Sequence, residues 1–160
     1  MVTTGAYLLG PNEGELRCGP GATSTRFKAT GDLTGAKFSL VDERAPKGES
    51  VPLHKHVDDE ESFYVLEGEI EFFLGENAGV RAQAGSFVHI PGGTVHGFRV
   101  ESDGARYLIF TTARHGDFYR AITRRVQSTG EAFEKVTDAE VSRACRDFNI
   151  DYVGPLPALG

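Results

Sequence analysis

Three of the five histidines and one of the glutamates sit at spacings that could hold a metal ion. His54 and His56 are two residues apart, and on a strand such residues point to the same face, so both imidazoles can reach one ion. Glu61 follows after the acidic bend VDDE and can return a carboxylate to the same point, with Glu60 beside it as a competitor. His96 lies just beyond IPGGTV, where Pro91, Gly92 and Gly93 allow a sharp reversal. Three neutral imidazoles and one carboxylate make a borderline N3O set suited to a first-row divalent ion: Fe, Mn, Ni, Co, Cu or Zn. A lone histidine on a strand is more often a packed residue than a ligand, and H-x-H alone is a weak signal. The agreement of several spacings is what points to His54, His56, Glu61 and His96 together.

The other chemistry-bearing residues read as structural. His89 in FVHIPGG is expected to be structural or exposed, and His115 to lie at the surface rather than in a lid. Asp58-Asp59 and Arg124-Arg125 read as solvated charges. Cys18 and Cys145 form no C-x-x-C pair and read as two reduced thiols of a cytoplasmic protein. No P-loop, no G-x-S-x-G elbow and no convincing Cys/His dyad is present.

The elements that must position the four candidate ligands are short strands. Twenty glycines punctuate short apolar runs, the pattern of many strands joined by tight turns. Strands are predicted over 37–41, 62–66, 69–74, 86–90, 95–100 and 106–111. In the third, Ile70, Phe72 and Leu74 alternate with Glu69, Glu71 and Phe73, a period of two with one buried face. Glu67-Gly68 reads as a hairpin turn. If Glu61 points inward, parity carries Phe63 and Val65 with it, and His96 carries Phe98 and Val100. Phe63, Phe98 and Val100 are therefore candidate walls of a pocket for a flat apolar substrate, or simply core.

After Thr112 the pattern becomes helical. Phe118, Ala121, Ile122, Arg125 and Val126 predict one helix, with Gly130 as its stop. Thr137 to Glu140, TDAE, is a capping box that opens a second, whose apolar face is Val141, Ala144, Cys145 and Phe148. The chain thus reads as one mainly β domain over 1–160, with a barrel core at about 30–112 and a helical appendix at about 115–150.

The 160 residues suffice for a core without disulfides. With 17 Lys and Arg against 23 Asp and Glu, the net charge is −6, which disfavours nucleic acid and anionic membranes as partners. The opening MVTTGAYLLG has no positive flank and no long apolar run, so it does not read as a secretory signal.

Two segments carry a family resemblance. GESVPLHKHVDDEESFYVLEG (48–68) reads G-x5-H-x-H-x4-E-x6-G, and GSFVHIPGGTVH (85–96) reads G-x5-P-x-G-x2-H. They resemble the two signature motifs of the cupin superfamily, in order, with 16 residues between them (69–84). Val100 stands where the second motif commonly has Asn, a position that is not a ligand. AYLLGPNEGE, KATGDLTGAKFSLVDERAPKGE, ESFYVLEGEIEFFLG, GDFYRAI and DFNIDYVGPLP are similar to small single-domain cupins of the quercetin 2,3-dioxygenase-like group, except that Arg114-His115 replaces Pro-Gly.

The resemblance implies a double-stranded β-helix, a jelly-roll barrel, with two short C-terminal α-helices and the ion inside one mouth. It also implies open coordination positions and a small-molecule substrate, an enol or phenol, with dioxygen as co-substrate and Glu61 as a ligand that could also act as catalytic base. A homodimer is expected. A non-oxidative isomerase, cyclase or decarboxylase, or a binding module without catalysis, remains open.

Overall fold

The computed structural model describes residues 5–158. In chain order the elements are β1 (Glu15–Cys18), β2 (Ser24–Ala29), α1 (Gly31–Thr34), β3 (Ser39–Pro46), β4 (Ser50–His56), β5 (Glu61–Glu67), β6 (Glu69–Leu74), β7 (Val80–Gln83), β8 (Phe87–Ile90), β9 (His96–Val100), β10 (Gly104–Thr111), α2 (Ala113–Ala121), β11 (Arg124–Arg125), α3 (Asp138–Asp147) and β12 (Ile150–Gly154).

The strands form two antiparallel sheets of a jelly roll, β11-β1-β2-β3-β10-β5-β8 and β12-β4-β9-β6-β7. The alternation seen in the sequence is the alternation of burial. In β10, Ala105, Tyr107, Ile109 and Thr111 face inward, while Gly104 and Phe110 are exposed. The inward rows of the two sheets meet in one core containing Val41, Phe63, Ile70, Phe72, Phe98 and Tyr107. Side chains perpendicular to the pleat leave a cavity wherever facing rows do not fill the gap.

Several expectations are corrected. Glu67-Gly68 is not a hairpin: β5 and β6 lie in different sheets, and the chain turns a corner there. Gly68 has φ 84°, and a Cβ would run into the Gly104 carbonyl. The barrel begins before residue 30, because β1 and β2 extend the larger sheet. The first C-terminal helix starts earlier and ends earlier than its spacing suggested. The Thr112 side chain caps it by accepting from the His115 amide, and it closes at Ile122. Arg124–Arg125 then pair with β1, and Val126 packs on Leu16 and Cys18. The second helix has the expected capping box between Thr137 and Glu140. The tail that follows it supplies β12, which pairs with β4.

Candidate metal centre

Two strands of the smaller sheet and one of the larger bring the four candidate ligands together. His54 pairs with His96 across β4 and β9. β9 can lie this close because Gly97 has no side chain: a Cβ there would sit 2.7 Å from the Val51 carbonyl oxygen. Glu61 opens β5, opposite Thr111 of β10 and Ile90 of β8. The bend before it is tied at several points. The Thr111 hydroxyl donates to the Glu60 carbonyl at 2.6 Å, and Asp59 accepts from Thr112 Oγ1 at 2.6 Å and Arg114 Nη1 at 2.7 Å. Glu61 is buried, while Glu60 is exposed, which settles which carboxylate points inward.

One donor atom from each of His54, His56, Glu61 and His96 lies within 4.8 Å of all the others. His54 Nδ1 is 2.8 Å from the Pro52 carbonyl and His96 Nδ1 is 2.9 Å from the Thr94 carbonyl. Each Nδ1–H therefore donates to backbone, which leaves the Nε2 lone pair directed inward. His54 Nε2 and His56 Nε2 are 3.0 Å apart, and Glu61 Oε2 is 3.2 Å from His96 Nε2. Two donors at right angles on an ion about 2.1 Å from each are about 3.0 Å apart, so these spacings are those of adjacent positions on a divalent ion. Lone pairs this close repel unless a proton or a cation lies between them. The residues fit the ion.

For three of the four donors the electrostatics favour the form that binds a cation, and at His96 an ion must displace a proton. Burial, then neighbouring His96, pushes His54 down to about 4, and burial pushes His56 down to about 2 against the pull of Glu61. Both are neutral imidazoles at neutral pH. Burial opposes the charge on Glu61, but the hydrogen bond with His96 and the surrounding imidazoles outweigh it and hold the carboxyl below its usual range. His96 is raised: burial works against its proton, and the Glu61 carboxylate retains it.

Beside the donors is a cavity of about 670 Å³. Phe63 and Phe98 line it, with ring centroids 5.6 Å apart. Val100 does not. Each two-residue step along β9 leads about 7 Å away from the level of His96, and Val100 is packed in the core opposite Ile70.

His115 is not a surface residue: it is 1% exposed, lines the cavity, and its ring lies 4.1 Å from that of His56. Its Nδ1 has no hydrogen-bond partner among the described residues. The capped start of α2 turns the side chain under the barrel mouth. Tyr119, one turn further on, was not anticipated; its hydroxyl donates to Glu61 Oε1 at 2.5 Å. The i, i+4 spacing of His115 and Tyr119 becomes a signal only once the helix is started at Ala113, ahead of the spacing that begins at Phe118. Asp59 is likewise buried and paired with Arg114, not solvated, because it anchors the bend. His89 is exposed and bonds Ser62 at 2.8 Å, away from the centre. Cys18 and Cys145 are free.

Residues 41–111 match the family model described as a cupin domain. The chain is 37% identical over 106 residues to quercetin 2,3-dioxygenase of Bacillus subtilis, covering 66% of this chain and 31% of that protein. It thus spans about a third of the length of this relative. The fold is similar to that of KdgF from Halomonas sp., with TM-score 0.61, 18% identity, and coverage of 71% of this chain and 97% of that one. It is also similar to the polyketide cyclase RemF from Streptomyces resistomycificus, with TM-score 0.53, 20% identity, and coverage of 82% and 81%.

Proposed function

Residues 41–111 are a cupin domain resembling the quercetin 2,3-dioxygenase-like group, and from that premise we propose that the chain is a metal-dependent dioxygenase acting on an aromatic or enolic small molecule. The observation that carries this reading is the convergence of His54, His56, Glu61 and His96 at the wall of an apolar cavity. The 37% identity to a quercetin 2,3-dioxygenase supports the choice of chemistry.

In this reading a divalent transition ion, when bound, supplies a Lewis acid that lowers the pKa of a substrate hydroxyl. His54, His56 and His96 would hold it through ring nitrogens, the His54 and His96 rings being oriented by the backbone carbonyls of residues 52 and 94. Glu61 offers Oε2 to the same point, because Oε1 is taken by Tyr119. Glu61 is also the base for the substrate proton. A carboxylate held well ionised is a weak base, so it acts by swinging partly away from the donors, and the Tyr119 bond sets how far it travels. Phe63 and Phe98 give a flat ring an apolar wall and exclude water. His115 packs against His56, the two rings tilted by 32°, and restrains that ring.

Oxygen consumption with a flavonol by the iron, manganese, nickel or cobalt form tests the proposal. Uptake that depends on the loaded ion supports it. Conversion without oxygen uptake would instead make this a non-oxidative isomerase, cyclase or decarboxylase, and binding without turnover would make it a non-catalytic binding module. A Glu61→Gln variant with full turnover and full metal content would refute the base role.

A homodimer is part of the proposal: Tyr64, Phe87 and Phe110 are exposed on the outer face next to edge strand β8. So is a cytoplasmic setting, in keeping with the unpaired thiols. No helix of the described residues is long and apolar enough to cross a membrane.

A further inference from the structure

The cavity contains a buried carboxyl that the four-donor centre does not use. Glu43 projects from β3 and is 7% exposed. Its place follows from the register. β10 sets Thr111 opposite Glu61 and Ser39, and four residues away sets Tyr107 opposite Val65 and Glu43. At about 3.3 Å per residue, the Glu43 backbone lies about 13 Å along the sheet from that of Glu61. Phe63 and Ile109 occupy the rung between, and Glu43, Thr25 and Tyr107 line the same cavity as the donors.

Glu43 Oε1 accepts from Thr25 Oγ1 at 2.8 Å, and the Tyr107 hydroxyl faces the same carboxyl. Among the described residues no cationic side chain forms an ion pair with it. Burial pushes it up to about 7, with Thr25 and Tyr107 opposing and the charges of Glu61 and Glu49 adding to the rise. A carboxyl without a cation is a costly wall for an apolar cavity, and a leucine would fill the space at less cost. What distinguishes the carboxyl is its capacity to accept a hydrogen bond from whatever occupies the cavity.

We propose that Glu43, positioned by Thr25 and Tyr107, is a second binding station of this cavity, which accepts a hydrogen bond from a hydroxyl at the end of the ligand remote from His54, His56, Glu61 and His96. The ligand it selects is elongated and flat, with two or more linked rings and a polar group at each end. A one-ring compound reaches only one station. This rests on the proposed metal-dependent reading, which fixes the other end of the ligand.

The test is anaerobic calorimetry with two probes: a flavonol with two hydroxyls on its pendant ring, and the same flavonol without them. Each is titrated into metal-loaded and metal-stripped wild type, Glu43→Leu and Glu43→Gln, with metal content measured alongside. Loaded wild type prefers the hydroxylated probe by about tenfold, the worth of one hydrogen bond to a carboxylate. Glu43→Leu removes the preference, and Glu43→Gln, which keeps the shape, lowers it to within about threefold. Metal content stays that of wild type in both. A preference unchanged in either variant overturns the proposal, as does a wild type that binds the probes equally or binds neither. Equal affinities for loaded and stripped wild type would instead sink the metal-dependent reading, leaving the effect of Glu43 on the preference to be judged separately.

Discussion

The strands of the barrel mouth and the segment that wraps it divide the work of the centre. β4, β5 and β9 supply all four candidate ligands, while residues 113–154 supply none. Yet that segment puts a hydroxyl on Glu61 Oε1, packs His115 against His56, ties the Asp59 bend through Arg114, and pairs β12 with β4. Which donors converge is decided by strand parity. How they are held, and what closes the space beside them, is decided by the wrap. The two contributions separate under mutation.

Removing a donor has the largest expected effect. His56→Ala or His96→Ala lowers metal affinity by more than about 100-fold, beyond the range of outer-shell changes. Titration against a competing chelator measures it, and a loss under tenfold would break the assignment of the donors to the mouth.

Acid acts next. In the metal-stripped protein, His54 at about 4 and His56 at about 2 resist protons that the unfolded chain takes up below its ordinary histidine range near 6.5. Their depressed values make stability fall as pH drops from about 6.5 towards 4.5. Glu43, raised to about 7, has the opposite sign: it favours the folded state below 4.5 and loses that contribution as pH rises through 7, which cancels one proton of the two. His115, also lowered, adds to the histidine side. The net is about one to two protons, or about 1–3 kcal/mol per pH unit. Urea unfolding of metal-stripped protein from pH 7 to 4.5 reads this slope, and stability flat across the window would contradict the buried neutral imidazoles.

The wrap is expected to matter less, and in a graded way. Tyr119→Phe deletes only the hydroxyl on Glu61 and lowers metal affinity about tenfold; an unchanged chelator titration would show that Glu61 needs no such partner. Arg114→Met leaves the buried Asp59 carboxylate with the Thr112 hydroxyl. Because Arg114 is itself 39% exposed, the loss is about 1 kcal/mol in urea unfolding, with metal affinity changed less than about threefold. An affinity loss as large as that of Tyr119→Phe would mean the bend controls Glu61 more tightly than its own hydrogen bond does.

The same division describes what could be read from the chain. His54, His56, Glu61 and His96 were legible because a period of two and a Pro-Gly-Gly reversal determine which side chains share a face, and all four converge. The inward placement of Phe63 and Phe98 follows from the same parity. Parity does not say how deep a residue lies along its strand, and for that reason Val100, on the correct face, falls outside the cavity. Glu43 escaped notice because a single acid among strand residues carries no spacing signal. The wrap was illegible for a different reason. Val126 has helical spacing from Phe118, but β1 offers Arg124–Arg125 a strand partner, and that tertiary contact ends the helix. His115 looked exposed because its burial depends on where the helix axis is carried, which no local pattern records.

The central claim is tested most directly by X-ray absorption at the metal edge of protein purified without added metal. The account predicts one first-row divalent ion per chain, with three imidazole nitrogens and a carboxylate oxygen at about 2.0–2.2 Å. Protein that takes up no ion even when one is supplied, or an ion whose shell lacks imidazole, would contradict it.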